Sequence, residues 1–500
     1  MSNQELRSKF CRSLVAIPVA ALALSAYGTS GATKVSTPQT SMSRKSTTTT
    51  VAKPSGTTRV PTTPSGSSPA AEGGTSTPPS GNPPAPPPSG GGSGPGGGSS
   101  TVVTGTGAYT LSGGKASKSD LTITATSTNE SGVLARDSAK LTLTAVEVST
   151  TGSSSSSDDS SFYGLDAGVL AFTGAAIKED AGSVTTNGDG ANAVFAYGSG
   201  SSITISGTKI KATGQYAHGI MASGGGSVKA TDVTVATTGT SSAAVATDRG
   251  GGTITIIGDT YKTSGHNSPG LYSTGTLKAT GATFDATGAE AAVVEGSNSV
   301  TVTNSHLTGH VNRGVMVYQS MSGDAQGEEG TFTETGGSLT AFDGPLFFVT
   351  NTTAVINLTG VKLSEVSGIL LDAGASVWGT SGSNGGSVTV SATRQSMTGA
   401  VEVDDISTAV LNLKDGSSLT GTINAAGTAR SVTLSLDKSS AWTVTGNSHL
   451  TVLRDPEGIS GSKVTNIVGN GHTVYYRASS NPSLGGRTYT LEGGGTLTPA

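Results

Sequence analysis

The chain has 500 residues, of which 74 are glycine, while only 12% are charged and 4% are aromatic. This composition excludes a mainly helical protein, because helix surfaces carry charged residues and a glycine inside a helix costs ~1 kcal/mol relative to alanine. The formal net charge is −4, and the acidic excess lies after residue 105, which argues against a nucleic-acid partner.

Residues 1–26 are predicted to be an export signal. A basic start with Arg7, Lys9 and Arg12 precedes an apolar run from Leu14 to Leu24, and small residues follow. Because that run is too short to span a bilayer stably, we interpret it as a cleaved signal peptide and expect no integral membrane span in the mature chain.

The cleavage region has consequences for anchoring and for cysteine chemistry. Leu24-Ser25-Ala26 resembles the start of a bacterial lipoprotein site, but Tyr27 stands where the lipidated cysteine would be. The only cysteine, Cys11, lies within the signal. We therefore expect a secreted or cell-surface protein without a lipid anchor, a disulfide or a cysteine nucleophile.

Residues 27–105 are predicted to be a disordered tether. Thr, Ser, Pro and Gly dominate the segment, and it carries five basic residues against one acidic residue. Such a composition buries too little apolar surface to offset the entropy of ordering the chain. Its expected role is to hold the remaining chain away from a surface.

From residue 106 the sequence repeats. A small residue followed by an apolar pair recurs in steps of 22 to 27 residues, through Ile220, Ala244, Leu271, Val293 and Val315. Each repeat has a second segment in which apolar residues alternate with threonine, as in Leu141-Thr142-Leu143. The third apolar positions are Val146, Ile177, Ile210, Val233, Phe284, Leu307, Leu339 and Leu363.

Three short strands in each repeat predict an all-β solenoid. Alternation places one set of side chains inward, where equivalent residues of successive turns stack, and the other set outward. An array of immunoglobulin-type sandwiches is the main alternative, but it needs about seven strands in ~100 residues and does not suit this period. We assign 106–400 to a parallel β-helix and 401–500 to its C-terminal turns and cap.

This pattern resembles that of secreted bacterial parallel β-helices of the pectin-lyase-like superfamily, especially adhesin-like and autotransporter-passenger-like proteins. The resemblance is architectural, covers most of 106–500 and includes no catalytic motif. It implies a single-stranded right-handed parallel β-helix with three short strands per turn of about 22–27 residues. Some proteins of this class are polysaccharide lyases or glycoside hydrolases, so the resemblance leaves both binding and enzymatic functions open.

Paired acids are the residues to consider for enzymatic chemistry. Asp158 and Asp159 lie in a serine run that is expected to form a solvated loop. Alternation in VEVDDIS directs Glu402 and Asp404 outward, and Asp404-Asp405 resembles the aspartate pair of polygalacturonase-like enzymes. The companion motifs of those enzymes are absent, so no catalytic residue is assigned.

The preferred binding site is an insertion spanning 318–330. The step from Val315 to Leu346 is about eight residues longer than its neighbours. Loops projecting from a rigid scaffold often carry recognition, and carboxylates, an aromatic ring and an arginine suit carbohydrate or Ca²⁺. The alternative is a loop without a binding role. The residues expected to make contact are Arg313, Tyr318, Asp324, Glu328 and Glu329.

Two other patterns carry less weight. Thr-x-Thr pairs such as Thr253/Thr255 and Thr301/Thr303 predict an outward ladder of the kind that binds ice in some solenoids, but Lys229 and Lys278 interrupt it. The six histidines show no metal-ligand spacing, so no metal site is assigned and Ca²⁺ is the one cofactor considered.

The sequence favours a monomeric, adhesin-like surface protein that binds a glycan or another surface polymer. A polysaccharide lyase or glycoside hydrolase acting along the solenoid is the alternative. A groove lined by acids with a nearby arginine or lysine would favour the enzyme.

Overall fold

The computed structural model describes residues 105–320, 325 and 327–500. The predicted signal peptide, the tether up to residue 104, and Asp324 of the predicted binding loop lie outside the described residues. In the part of the chain that is described, no helix is long and apolar enough to cross a membrane.

The described chain winds into a parallel β-helix, as the repeat predicts. Between Thr106 and Glu365 each turn contributes one strand to each of three sheets, and these strands pair in parallel with their equivalents in the neighbouring turns. The first sheet has 12 strands. They are Thr106–Ser112, Glu130–Arg136, Val169–Ala171, Val194–Tyr197, Ile220–Ser223, Val245–Asp248, Leu271–Ser273, Ala292–Glu295, Val315–Tyr318, Phe347–Thr350, Ile369–Ala373 and Ala400–Val403.

The second sheet has 14 strands and follows the first within each turn. They are Lys115–Ser119, Lys140–Thr144, Ala176–Asp180, Ser202–Ser206, Gly226–Thr231, Gly252–Ile257, Thr276–Thr280, Ser299–Thr303, Glu329–Thr335, Thr352–Thr359, Gly386–Thr393, Thr408–Lys414, Ser431–Leu436 and Val452–Arg454.

The third sheet has 10 strands and completes each of the earlier turns. They are Thr122–Ala125, Glu147–Thr150, Ser183–Thr186, Lys209–Ala212, Thr234–Thr237, Thr260–Thr263, Thr283–Ala286, His306–Gly309, Ser338–Ala341 and Lys362–Glu365. The turn before it is short, and residues such as Asp232, Asp259 and Asn304 adopt positive φ there. That conformation explains why Asn, Asp and Gly recur at this point of the repeat.

A fourth sheet of nine strands takes over in the last turns. Two antiparallel pairs, between Ile459–Ser460 and Lys463–Val468 and between Tyr489–Glu492 and Thr496–Pro499, depart from the parallel pattern there. Its other strands are Ser396–Thr398, Ser418–Gly421, Ala441–Val444, Ser448–Leu450 and Thr473–Tyr476. The described helices are one α-helix, Ser157–Tyr163, and two 3₁₀ turns, Ala478–Ser480 and Pro482–Leu484.

The core is a continuous apolar stripe inside the coil. In the second sheet Leu141, Ile177, Ile203, Val228 and Ile254 stack in register, each on the next turn. All five are buried. The predicted inward and outward alternation is therefore present in this sheet.

Two carboxyl side chains interrupt the aliphatic stripe. Glu179 stacks between Leu143 and Ile205, and Glu334 stacks in the corresponding way several turns later. Both are fully buried, and neither carboxyl has a hydrogen-bond partner within the described structure. Burial raises the pKa of each to about 8, so both carry a proton at neutral pH.

The register of the first sheet differs from the predicted one. Ile220 pairs with Val245 rather than Ala244, and Leu271 pairs with Ala292 rather than Val293. Similarly, Ile177, expected in the third column of each repeat, lies in the second sheet beside Leu141. Central first-sheet strands such as Val245–Asp248 and Ala292–Glu295 are buried on both faces, so their apolar runs do not alternate and cannot fix which residue points inward.

Candidate functional site

The outer face of the first sheet is apolar, which is unusual for a surface. Leu134, Leu170, Phe195, Met221, Ala246, Tyr272, Val293, Met316 and Phe348 form one outward column in successive turns. A solvent-facing column of this composition would expose a large apolar patch. The column is instead mostly buried, because two insertions cover it.

The first insertion is the α-helix Ser157–Tyr163, where a solvated loop was expected. The Ser156 hydroxyl accepts a hydrogen bond from the Asp159 backbone N–H at 3.1 Å and caps the helix. Ser223 Oγ donates to the Phe162 carbonyl at 2.8 Å and holds the helix on the sheet. Asp158 and Asp159 are thus first-turn residues of a docked helix, and the loop prediction was wrong because it ignored this capping pattern.

The second cover is the segment 374–385, which follows a first-sheet strand. Trp378 is 8% exposed, and its ring lies 5.2 Å from the Tyr318 ring, centroid to centroid. Asn384 Nδ2 donates to the carbonyls of Ser376 and Trp378 at 2.6 and 2.8 Å, which fixes the segment against itself. This cover protects the outward column near Met316 and Phe348.

A groove with a cavity volume of about 70 Å³ lies on the outer face of the first sheet. The Phe162 end of the helical insertion and Tyr318 both line it. Tyr272 packs against the apolar clusters on both sides and forms part of the floor. Its other polar and aromatic lining residues include Tyr216, His218, Asp248, Asn267 and Glu290.

Two tyrosines and a serine hold Glu295 beside this groove. Tyr272 Oη donates to Glu295 Oε2 at 2.5 Å, and Tyr318 Oη donates to the same oxygen at 2.9 Å. Ser320 Oγ donates to Glu295 Oε1. Burial, followed by the charge of Glu295, raises the pKa of both tyrosines well above the usual range, so they remain hydrogen-bond donors.

Glu290 forms a buried ion pair at the groove wall. Its Oε1 lies 2.9 Å from Arg313 Nη1, and the guanidinium carbon of Arg313 lies 4.4 Å from the Phe348 ring centroid. Burial raises the pKa of Glu290, and the Arg313 charge opposes that shift. Glu290 Oε2 is buried and accepts no hydrogen bond of good geometry in the described structure, while the Glu290 backbone and the Asn312 side chain lie near enough to the carboxyl to help Arg313 oppose the rise in its pKa.

His218 and Asn267 add two further polar groups. His218 Nδ1 accepts the Ala243 backbone N–H at 3.0 Å, and burial lowers the histidine pKa to about 4. The neutral ring therefore carries its hydrogen on Nε2 and can donate from there. Asn267 has a φ of 54°, and its buried Oδ1 has no partner within the described part of the chain. The groove thus combines a donor and unpaired acceptors with aromatic rings.

Four of the five residues predicted to bind are described, and they lie in two different places. Arg313 pairs with Glu290, and Tyr318, the last residue of a first-sheet strand, is buried at the groove. Glu328 is exposed, and Glu329 begins a second-sheet strand beside a shallow glycine-rich trough that also includes Gly250 and Gly275. Asp324 lies outside the described residues.

Two groove residues that the sequence analysis missed share one position in the repeat with Arg313, which it did identify. His218 and Glu290, like Arg313, immediately precede the small residue that stands before a first-sheet strand, where Ala167 and Ala243 stand in other turns. Polar side chains replacing small ones at a recurring position are a signal that could have been found. Asn267 and Tyr272 carried no comparable signal.

The remaining acidic candidate, Asp404, accepts hydrogen bonds from the backbone. Asp404 accepts backbone N–H groups from Ala375 at 2.6 Å and from Ile406 at 3.2 Å. Within 105–320, 325 and 327–500, no three His, Cys, Asp or Glu side chains are placed to hold a metal ion. The Ca²⁺ expectation therefore gains no ligand set from these residues.

Comparison with known proteins does not assign the chain to a family. No protein-family model matches it, and no curated protein matches it significantly. The class that the geometry defines is a parallel β-solenoid with a lateral groove between two insertions.

Proposed function

We propose that the protein is a secreted or cell-surface, adhesin-like β-helix that binds a glycan in the lateral groove of its first sheet. The observation that carries this proposal is the buried Oδ1 of Asn267, which is unpaired within the described structure and lies in a groove lined by Tyr216 and Tyr272. Binding sites for small molecules typically combine apolar and aromatic walls with a few convergent polar groups.

The chemistry of the groove favours an uncharged sugar. A sugar ring can lay its apolar face on an aromatic side chain while its hydroxyls donate to Asn267 Oδ1 and Glu290 Oε2 and accept from His218 Nε2. Glu290 is already paired with Arg313, and Glu295 already accepts from two tyrosines and a serine. A ligand therefore meets little uncompensated charge.

Asn267→Gly tests the site, because glycine accepts the positive φ of this position while removing the amide. Asn304→Gly is the matched control, since Asn304 also has positive φ but is exposed in a turn outside the groove. We expect the exported protein to bind one or more neutral oligosaccharides on a glycan array. Asn267→Gly should weaken that binding about tenfold, as the loss of a buried hydrogen bond predicts, and Asn304→Gly should leave it unchanged. Equal affinities for the two variants would contradict the assignment of the site.

One observation favours the alternative, a polysaccharide lyase or glycoside hydrolase. Asp372 and Glu402 are register partners in neighbouring strands on the outer face of the first sheet. Burial, followed by the Glu402 carboxylate, raises the pKa of Asp372 to about 6. Register partners on one face of a sheet are adjacent side chains, and retaining glycosidases also use two adjacent carboxyls.

An activity screen separates the two functions. The enzyme would release reducing or unsaturated sugar ends from polysaccharides, and Asp372→Asn would abolish that release because asparagine cannot supply a proton. The binding function predicts no release by either form of the protein and unchanged glycan affinity of Asp372→Asn.

A further inference from the structure

The outer face of the second sheet carries a regular column of lysines. The strand register places Lys178, Lys229 and Lys278 in one outward column. Thr204 and Thr255 stand between them, so that a lysine occurs at every second turn. Because neighbouring strands lie ~4.8 Å apart, successive lysines are rooted ~9.6 Å apart along a straight line.

These amines are available to a ligand. All three lysine side chains are exposed, and none forms an ion pair within the described structure. The nearest acid in the same strand and on the same face is Asp180, whose Oδ1 accepts a hydrogen bond from Ser206 Oγ at 2.7 Å. The column therefore presents cations to solvent.

The columns on either side are mainly hydroxyl-bearing. One includes Ser202, Ser227, Thr253 and Thr276, and the other consists of Ser206, Thr231 and Thr280 together with Asp180 at one end and the exposed Ile257. The face is consequently flat and able to donate hydrogen bonds, with cations at one fixed interval. The chain as a whole carries a net negative charge, so it has no general attraction for anions. The evenly spaced lysines are therefore a local feature of this face.

We infer that this column binds a linear anionic polysaccharide whose acidic groups recur on every second sugar. Such a polymer can lie along the solenoid axis and present its charges at a constant interval to the evenly spaced amines. The charge spacing of nucleic acid does not match that of the lysines, because successive phosphates of one strand are separated by a rise of only ~3.4 Å. This binding face is separate from the first-sheet groove and does not depend on the proposed function.

The test uses hyaluronan, which carries a carboxylate on every second sugar, and the full-length protein at low salt. We expect salt-sensitive binding. Combined Lys178→Gln, Lys229→Gln and Lys278→Gln should weaken it about tenfold, the sum expected of three exposed ion pairs. The matched control, Lys209→Gln with Lys362→Gln and Lys438→Gln, removes the same charge from scattered exposed sites and should change affinity less than about twofold.

A second variant tests the spacing itself. Thr204→Lys combined with Lys229→Thr keeps three lysines in the column but sets them one and three strands apart. Lys178 and Lys278 keep the original period and only the third lysine leaves it, so this variant should bind hyaluronan about twofold more weakly than the unmodified protein, as the loss of one exposed ion pair predicts. Any one of four results would overturn the inference. They are undetectable hyaluronan binding, equal binding by both triple variants, no change in binding on the exchange, and equally tight binding of single-stranded DNA. Asn267→Gly should leave hyaluronan binding intact, so failure here and failure of the groove are distinguishable.

Discussion

The first and second sheets run side by side through the same turns, yet their outer faces differ. The first sheet buries Leu170, Phe195 and Met221 beneath the helical insertion, whereas the second exposes a column that includes Lys178, Thr204 and Lys229. Their inner faces join one core. The difference indicates that the inner faces form the common core of the coil, whereas the outer faces serve separate roles, burial beneath an insertion in the first sheet and exposure to solvent in the second.

The largest expected effect tests that division within a single turn. Phe195→Ala removes a fully buried ring from the outer face of the first sheet and should lower the free energy of unfolding by about 4 kcal/mol. Thr204→Ala, on the exposed outer face of the second sheet, should change it by less than about 0.5 kcal/mol. Urea unfolding measures both. Similar losses would mean that the two outer faces contribute equally to the fold.

The next effect concerns the core that the sheets share. The Glu179 carboxyl has an ordinary pKa of 4.5, which applies in the unfolded chain, and a pKa of about 8 in the native protein. Below pH 4.5 both states hold the proton. Between pH 4.5 and 8 only the unfolded chain releases it, so the free energy of unfolding should fall by ~1.4 kcal/mol per pH unit.

Glu179→Leu should therefore stabilise the protein by about 3 kcal/mol at pH 7 and should remove its own share of the pH dependence, while Glu334 keeps an equal share. Glu179→Gln is the control that removes titration while keeping the shape of the side chain. Melting at pH 4.5 and pH 8 checks the prediction. A native protein that is more stable at pH 8 than at pH 4.5, with no response to Glu179→Gln, would refute it.

The smallest effect sharpens the role of the helical cover. Ser156→Ala removes the cap of helix Ser157–Tyr163 and should destabilise the helix by about 1 kcal/mol. The change should appear as faster hydrogen exchange within 157–163, while the strand amides stay protected. Ser157→Ala, one residue further on and outside the cap, should not produce it. Faster exchange throughout the coil would show that the cover supports the whole fold.

Sequence periodicity predicted the second sheet better than the first, for a physical reason. Leu141, Ile203 and Ile254 alternate with exposed or half-buried threonines, so their inward position could be assigned directly. First-sheet strands such as Val245–Asp248 are buried on both faces, and their apolar runs give no alternation from which to choose a register.

The groove was harder to predict than the coil. Tyr318 and Arg313 were identified from an unusually long step, yet their partners Glu295 and Glu290 belong to the preceding turn. Sequence spacing alone does not reveal contacts of that kind until the register is known. Asn267 carries no local signal, because asparagine is a common turn residue and only the fold places its amide in the groove.

The ladder of parallel strands also has a mechanical consequence. The strands of each turn are hydrogen-bonded only to those of the turns before and after it, so tension applied at Thr106 would load one turn at a time. Each release of roughly 24 residues would add ~80 Å of contour length before the next turn bears the load. Such a molecule unfolds under force one turn at a time and dissipates mechanical work at each step.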